Sequence, residues 1–261
     1  MQSIVNGFNM SYIDRGTGVA LLLIHGYPLN KQLWEPQVMG LTARIITPDL
    51  RGFGASEPVE GPYSMDLLAQ DCNALLDELG VDQPVVVGGL SMGGYVTFAF
   101  YRQFPERVRG LILASTRAAP DDETGKANRD KAIQTVREGG VEAIVESMLP
   151  KMMAPETYEH KPEVVSEARQ IMESASVEGI IGALEGMKNR PDSRPLLEQI
   201  TVPTLVIHGG EDQLVSRNEA EKMAGALQNA RLEIVPEAGH LVNLERPTLF
   251  NQYVGAFLES F

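Results

Sequence analysis

The chain has 261 residues, enough for one large α/β domain or two small ones with a substantial core. Its formal net charge of −13 disfavours nucleic acids and anionic membrane surfaces as partners, because both would be repelled at long range. The single cysteine, Cys72, cannot form an internal disulfide, and there is neither a signal-peptide pattern nor an apolar run of membrane-spanning length. We therefore expect a cytoplasmic protein, whose oligomeric state the sequence leaves open.

The first predicted element is an antiparallel hairpin, because the dipeptide Asn6-Gly7 separates two apolar segments, 4–5 and 10–13. Farther along, short apolar runs recur, mostly separated by stretches with helical periodicity. These runs cover residues 19–24, 44–46, 85–87, 110–114, 204–207 and 232–235. Such alternation predicts a mostly parallel sheet covered by helices on both faces.

The alternation is interrupted between residues 114 and 204, where helical patterns follow one another at 131–136, 141–149, 162–174 and 177–187. We therefore predict a core formed by residues 1–116 and 200–261, with a helical cap, residues 117–199, inserted in it. The cap carries Met148, Met152, Met153, Met172 and Met187. These side chains could line an adaptable apolar pocket or simply pack the cap onto the sheet.

A candidate nucleophile follows the apolar run 85–87, in the sequence Gly89-Leu90-Ser91-Met92-Gly93. A strand, a tight turn and a helix are predicted here, with Ser91 at the apex. Side chains next to the serine would collide in so sharp a turn, so the flanking glycines are required sterically. The pattern is typical of the nucleophile elbow of serine hydrolases.

A serine hydroxyl needs a histidine base and a carboxylate that orients the base. His240 lies on a loop after the last predicted strand and Asp212 follows the penultimate one, whereas His160 lies in the cap and His208 ends a strand. The order Ser91, Asp212, His240 is the one expected when all three groups lie at the carboxyl edge of a parallel sheet. Glu211 is the rival carboxylate.

An oxyanion would be stabilised by two backbone N–H groups, and we predict those of Met92 and Tyr27. Tyr27 belongs to the loop His25-Gly26-Tyr27-Pro28, in which Gly26 allows close approach of the backbone. The Tyr27 side chain could line the acyl pocket or pack against the cap. The substrate pocket is predicted to include His25, Gly26, Leu90, Val215 and Leu241.

The cap sequence and the segment 110–118 look closest to the esterase and enol-lactonase-like group of the α/β-hydrolase superfamily. Five segments, taken in order, resemble the signature of the superfamily as a whole. They are His25-Gly26-Tyr27-Pro28, the loop 49–56, Gly89-Leu90-Ser91-Met92-Gly93, Gly209-Gly210-Glu211-Asp212 and Ala238-Gly239-His240. The resemblance implies an α/β-hydrolase fold, with an eight-stranded, mostly parallel sheet, helices on both faces and a helical cap. Many members of the family have histidine where this chain has Leu90. The leucine is expected to make the floor of the predicted pocket more apolar.

In having a serine at the elbow, this chain resembles the esterases and lactonases of the family. Haloalkane dehalogenases and epoxide hydrolases have aspartate there. Asp49 and Arg51, in the loop 49–56, are expected to tie loops together by charge-assisted hydrogen bonds. They are not expected to take part in the chemistry.

The leading hypothesis is a serine carboxylic-ester hydrolase for small esters that needs no metal and no cofactor. Lactone hydrolysis, including an enol-lactonase role, uses the same machinery, and Arg117, Arg129 or Arg190 of the cap could then meet a substrate carboxylate. Such arginines are more often solvated surface charges. The sequence is also compatible with perhydrolysis at the same site and with a slow-turnover receptor for small molecules.

Overall fold

The computed structural model describes all residues from 1 to 261 and contains one eight-stranded sheet. The strands are β1 (Gln2–Val5), β2 (Phe8–Arg15), β3 (Ala20–Ile24), β4 (Arg44–Pro48), β5 (Val85–Leu90), β6 (Val108–Ala114), β7 (Thr204–Gly209) and β8 (Ala230–Val235). Their order in the sheet is β1-β2-β4-β3-β5-β6-β7-β8. Only the pairings of β2 with β1 and with β4 are antiparallel, so the prediction of a mostly parallel sheet is confirmed.

Eleven α-helices connect and cover these strands. They are α1 (Glu35–Gly40), α2 (Met65–Glu78), α3 (Met92–Gln103), α4 (Glu123–Met148), α5 (Pro155–His160), α6 (Pro162–Glu173), α7 (Val177–Lys188), α8 (Arg194–Leu197), α9 (Arg217–Ala226), α10 (Val242–Glu245) and α11 (Pro247–Leu258). Short 3-10 helices occupy Lys31–Trp34, Pro105–Arg107 and Leu149–Lys151. No helix is both long enough and apolar enough to span a lipid bilayer.

The predicted hairpin joins β1 to β2. Asn6 and Gly7 both have positive φ, 46° and 84°, as a type I′ turn requires, and Val5 pairs with Phe8 across the turn. The hairpin prediction is therefore confirmed, with the turn at the expected dipeptide.

The sheet separates two hydrophobic clusters, because successive side chains of a strand point to opposite faces. In β3, Leu22 and Ile24 belong to one cluster and Leu21 and Leu23 to the other. Helices α2, α3 and α9 contribute to the first cluster, and α1 and α11 contribute to the second. Helices therefore cover both faces, as the alternation of the sequence predicts.

The segment between β6 and β7 contains α4 to α8 and no strand. Helix α4 covers the predicted helix 131–136 and all but the last residue of 141–149, but Gly140 between them has a non-helical φ of 69° and kinks it. The short helices α5 and α8 lack the apolar repeat on which the prediction relied. The assignment of residues 117–199 to a separate cap stays a prediction.

Candidate active site

The turn between β5 and α3 holds Ser91 in an unusual backbone conformation. Its φ and ψ are 55° and −113°, in a region that non-glycine residues rarely adopt, and its N–H donates to the Ala114 carbonyl at 2.9 Å. Strain of this kind persists only where surrounding structure enforces it, and it is concentrated at functional sites. The turn therefore marks Ser91 as a candidate for chemistry.

The flanking glycines let three backbone segments meet at this turn. A Cβ on Gly89 would lie 2.1 Å from the Gly93 carbonyl carbon, and a Cβ on Gly93 would lie 2.1 Å from the Ile24 carbonyl oxygen. Both distances are far below van der Waals contact. The steric need for glycine inferred from the sequence is therefore borne out, and Gly93 additionally brings the end of β3 against α3.

Asp212 and His240 are paired after β7 and β8. The Nδ1 atom of His240 lies 2.8 Å from Asp212 Oδ2, while Asp212 Oδ1 accepts the N–H groups of Leu214 at 2.8 Å and Val215 at 3.0 Å. Burial by itself would raise the pKa of Asp212, but His240 and these N–H donors bring it below the ordinary value. Asp212 is therefore a carboxylate that can hold the imidazole with Nδ1 protonated and Nε2 free to accept a proton.

Glu211, the rival acid, is exposed to solvent and forms no hydrogen bond with His240. Its backbone N–H donates to the Ala238 carbonyl at 2.9 Å, which ties the two loops together. The geometry favours Asp212 as the partner of His240.

A second histidine lies beside the Asp212 carboxylate, and the sequence assigned it no such position. His208 Nε2 is 3.9 Å from Asp212 Oδ2, and neither ring nitrogen has a hydrogen-bond partner. Burial lowers the pKa of His208, which keeps this imidazole neutral at physiological pH. The only signal in the sequence was its position at the end of a buried strand, four residues before Asp212.

The loop after β3 lies directly against the elbow. A Cβ on Gly26 would be 3.0 Å from the Leu90 carbonyl oxygen and 3.3 Å from Ser91 Cβ. The N–H of Tyr27, in this loop, and that of Met92, at the first position of α3, donate to no protein acceptor. Two free N–H groups next to Ser91 are what an oxyanion site requires, and their role as such stays a prediction.

His25 fixes the path of this loop. Its Nε2 accepts the Leu50 N–H at 2.9 Å, so Nδ1 carries the proton and donates to the Gly26 carbonyl at 2.8 Å. Burial lowers the pKa of His25 to about 4, which keeps the ring neutral. His25 is fully buried and does not line the cavity, so the structure gives it a structural position and not a substrate contact.

Ser91 and His240 line one cavity of about 330 Å³, although their side chains are not hydrogen-bonded to each other. Its other lining residues come from the loop after β3, from α3 and the segment after β6, from the loop after β7, and from α4 and α7. They are Tyr27, Tyr95, Arg117, Asp121, Gly125, Asn128, Arg129, Ala132, Met148, Leu184, Met187, Leu214 and Val215. The cavity thus lies between the strand ends and the helical segment. Tyr95 and Asp121 in this wall were missed by sequence reasoning.

Of the five predicted substrate-binding residues, only Val215 lines this cavity. Leu90 and Leu241 are fully buried in the second hydrophobic cluster, because they lie on the side of their segments that faces the sheet core. Gly26 contacts the elbow and not the cavity. Leu90 therefore does not form the pocket floor, and an apolar lining comes instead from residues of α4 and α7.

A buried carboxylate, Glu245, joins the His240 loop to the helical segment. Its Oε1 accepts the Gly239 N–H at 2.8 Å, and its Oε2 accepts the Ala154 N–H and the Thr157 hydroxyl, both at 2.7 Å. The side chain is fully buried. Burial raises the pKa of Glu245, against the opposing effect of these donors. Sequence reasoning missed this residue, whose only signal was its position five residues after His240.

Asp49 and Arg51 organise loops, as predicted from the sequence. Asp49 accepts hydrogen bonds from the backbone N–H groups of Lys31 at 2.7 Å and Ala55 at 2.9 Å, and Arg51 pairs with the buried Asp71. No group of three or more His, Cys, Asp and Glu side chains is arranged to hold a metal ion.

Comparison with known proteins identifies relatives along nearly the whole chain. The family model described as alpha/beta hydrolase fold matches residues 19–247. The 3-oxoadipate enol-lactonase 2 of Acinetobacter baylyi is 32% identical over 245 residues, which cover 93% of this chain and 89% of the relative. A protein of Synechocystis named as a putative non-heme chloroperoxidase is 31% identical over 95% of this chain and 94% of its own.

Among solved structures, a thermophilic esterase from Thermogutta terrifontis with malate bound is similar at a TM-score of 0.96. It is 39% identical in sequence, and the alignment covers 100% of this chain and 98% of the esterase. The fold and the order of the elements are therefore shared over their whole length.

Proposed function

Because the chain belongs to the α/β-hydrolase family and is a hydrolase with esterase and enol-lactonase relatives, we propose that it is a serine hydrolase of small carboxylic esters. Ser91 would be the nucleophile, His240 the general base and Asp212 the group that orients it. The observation that carries the proposal is that His240, hydrogen-bonded to the buried Asp212, lines one cavity together with the strained Ser91 turn.

In the proposed acylation step, Ser91 Oγ attacks the ester carbonyl carbon while His240 Nε2 takes the hydroxyl proton. The imidazolium is stabilised by the Asp212 carboxylate through Nδ1, at 2.8 Å. The negative charge that develops on the carbonyl oxygen is met by the N–H groups of Tyr27 and Met92. The carbon–oxygen bond to the alcohol then breaks, and the alcohol leaves with the proton from His240.

In the proposed deacylation step, His240 removes a proton from water as the water oxygen attacks the acyl carbon. The bond to Ser91 Oγ breaks, and the serine recovers its proton from His240. The acid leaves, and the enzyme returns to its starting state. Every proton in this sequence passes through His240 alone, so no metal or cofactor is required.

The test is hydrolysis of p-nitrophenyl acetate by Ser91→Ala and His240→Ala, with circular dichroism to verify that each variant is folded. Each substitution is expected to lower kcat by roughly 10⁴-fold, because the residues act as a unit. Asp212→Asn should cause a similarly severe loss, and Glu211→Gln, its matched control, should retain most of the activity. Substantial turnover by folded Ser91→Ala would refute the assignment.

A lactone is the second candidate substrate class, and the enol-lactonase relative favours it. A lactone is a cyclic ester, so the same residues would open the ring, with the alcohol remaining attached to the acyl product. Parallel kcat/KM values for a lactone and a linear ester of equal carbon number would rank the two classes.

Perhydrolysis is a third activity of the same acyl-enzyme, and the chloroperoxidase-named relative favours testing it. Hydrogen peroxide would replace water in the second step and release a peracid. An assay with acetate and peroxide, read against Ser91→Ala, decides whether this reaction takes place at Ser91.

A further inference from the structure

One wall of the cavity carries an arginine cluster around a single carboxylate. Asp121 Oδ1 lies 2.7 Å from Arg117 Nη2 and 2.8 Å from Arg190 Nη1, and its Oδ2 lies 3.0 Å from Arg129 Nε. Burial by itself would raise the pKa of Asp121, but Arg129 and Arg190 bring it below the ordinary value. Three guanidinium groups therefore face one carboxylate, which leaves two positive charges in excess.

The three arginines are not equivalent. Arg190 is buried, donates to the carbonyls of Met187 and Ala119 at 2.9 Å each, and stacks over the Tyr95 ring at 4.1 Å from its centroid. Its donors are thus used within the protein, and it does not line the cavity. Arg117 and Arg129 do line the cavity, with side chains 30% and 22% exposed. The excess charge is therefore presented to a ligand by these two residues.

Two further donors in this wall have no acceptor in the protein. The hydroxyl of Tyr27, a residue only 5% exposed, has no hydrogen-bond partner, and neither has Arg117 Nε. Burial raises the pKa of Tyr27, so the phenol keeps its proton. This O–H donor is satisfied only by a hydrogen-bond acceptor. A buried polar group without a partner is destabilising, so an acceptor on a bound ligand would remove this cost.

The donors share the cavity with Ser91 and His240, whereas the rest of its lining includes Met148 and Leu184. We propose that the substrate is an ester or lactone that carries a carboxylate, held by Arg117, Arg129 and the Tyr27 hydroxyl while Ser91 attacks the ester carbonyl. A carboxylate is an acceptor-only anion whose two oxygens match the guanidinium fork. This inference rests on the proposed function, since the same cavity serves both.

The volume of about 330 Å³ sets the size of this substrate. It is at the lower end of the range for small-molecule pockets, which favours a short dicarboxylic half-ester or a small carboxylated lactone over a long acyl chain. An apolar spacer between the two carbonyl groups would contact Met148 and Leu184.

The test compares two substrates of almost the same shape, monomethyl glutarate and methyl 5-oxohexanoate, whose terminal groups are a carboxylate and a methyl ketone. Hydrolysis is followed by pH-stat at neutral pH. The wild-type kcat/KM is expected to favour monomethyl glutarate by at least about tenfold, because hydrogen bonds to charged groups are stronger than those to neutral ones. Arg117→Gln and Arg129→Gln should each lower this ratio by about tenfold, and Tyr27→Phe should lower it by a smaller factor.

The matched control is Arg169→Gln, which removes an arginine of α6 that pairs with Glu146 on the surface and does not line the cavity. Its ratio should equal that of the wild type. Glutarate should inhibit methyl 5-oxohexanoate hydrolysis competitively, and Arg129→Gln should weaken the inhibition. Equal wild-type kcat/KM values for the two esters, or ratios unchanged in both arginine variants, would overturn the carboxylate site.

The failure of this inference can be told from the failure of the proposed function. If the neutral ester is hydrolysed through Ser91 without preference for the charged one, only the carboxylate site is wrong. If neither ester is hydrolysed, calorimetric binding of glutarate to the wild type and to Arg129→Gln still decides the site. Tight binding that is lost in the variant supports it, and equal or absent binding overturns it.

Discussion

The two sides of the cavity are built in different ways. On the sheet side, Ser91, Asp212 and His240 follow β5, β7 and β8, and their positions are set by backbone hydrogen bonds and by glycines that admit no side chain. On the helical side, Arg117 and Arg129 are held by side-chain contacts with Asp121. The proposed nucleophile, base and acid are thus attached to the backbone at the ends of strands, whereas the proposed carboxylate site depends on contacts between side chains.

The helical side is nevertheless anchored to the sheet side at several points. The Ser176 hydroxyl donates to the Gly52 carbonyl at 2.8 Å, and the Tyr63 N–H donates to the Gly182 carbonyl at 2.9 Å. A Cβ on Gly52 would lie only 2.5 Å from Gly179 Cα, so the two backbones are in direct contact there. The helical side is therefore packed against the sheet side. The two sides differ only in how they hold the proposed functional groups.

The sharpest way to break this comparison is a Cβ in the elbow. Gly93→Ala would place it 2.1 Å from the Ile24 carbonyl oxygen, and we expect a loss of more than about 4 kcal/mol in the free energy of unfolding, with loss of ester hydrolysis. Gly225→Ala is the matched control, because no atom lies within 4 Å of its Cβ, and should stabilise α9 by up to about 1 kcal/mol. Equal urea midpoints for the two variants would contradict the steric need for glycine at this turn.

The loop that carries Tyr27 should make the sheet side sensitive to acid. The pKa of His25 is about 4 in the folded state and 6.5 in the unfolded chain, so between these values only the unfolded chain binds the proton. The neutral His25 thus contributes about 3 kcal/mol to the free energy of unfolding above pH 6.5, and this contribution is lost as the pH falls towards 4. Urea unfolding at a series of pH values measures this slope.

The slope of the free energy of unfolding against pH reports the number of protons taken up on unfolding, and His25→Asn should lower this number by about one. His208, whose pKa is also lowered, contributes part of the slope that remains. If the variant is too unstable to measure, NMR titration of the wild-type imidazoles gives the folded-state pKa directly. A His25 that titrates near 6.5 would show that burial does not hold it neutral.

Glu245 tests whether the two sides are coupled, since it accepts N–H groups from both Gly239 and Ala154. Glu245→Gln would turn an amide donor towards one of these N–H groups and displace the His240 loop. We expect kcat to fall by roughly 10- to 100-fold with KM little changed, because small misplacements of a catalytic group are costly. Glu259→Gln, at an exposed position, is the control. A fall in thermal stability without any change in kcat would limit Glu245 to a structural role.

The smallest effect is expected on the helical side, at Met148 in the cavity wall. Met148→Leu conserves volume, so the cost in stability should be below about 1.5 kcal/mol. The relative kcat/KM values for p-nitrophenyl acetate, butyrate and hexanoate should change by a few fold, because the wall is reshaped. An unchanged chain-length profile would show that the acyl group does not contact this wall.

The sheet side was largely predictable because its determinants are local. Apolar runs predicted the strands, Asn6-Gly7 predicted the hairpin, and the glycines around Ser91 predicted the sharp turn. In the structure Ser91 has a φ of 55°, as such a turn requires. The order of Ser91, Asp212 and His240 then followed from the rule that parallel strands end at one edge. Such features depend on residues that are neighbours in the sequence or on the order of the strands, and both can be inferred from the sequence.

The rest depends on contacts between distant residues. Leu90 was expected to form the pocket floor, but a strand residue points to one face or the other, and Leu90 packs in the second hydrophobic cluster. Glu245 contacts Thr157, 88 positions away, and Asp121 meets Arg190 across the start and end of the helical segment. Nothing in the local sequence of these residues records which partner they meet, so the cavity wall could not be derived from it.

The geometry of the elbow also bears on how a protein of this kind can change its reaction. The contacts that enforce the turn involve the backbone of residue 91 and its glycine neighbours, and none of them involves the hydroxyl oxygen of Ser91. The turn therefore determines the direction of a Cα–Cβ bond, whatever short side chain follows. A short side chain with a thiol or a carboxylate at position 91 would enter the same cavity, which His240 also lines. A different short side chain at this position therefore requires no change of the turn that holds it.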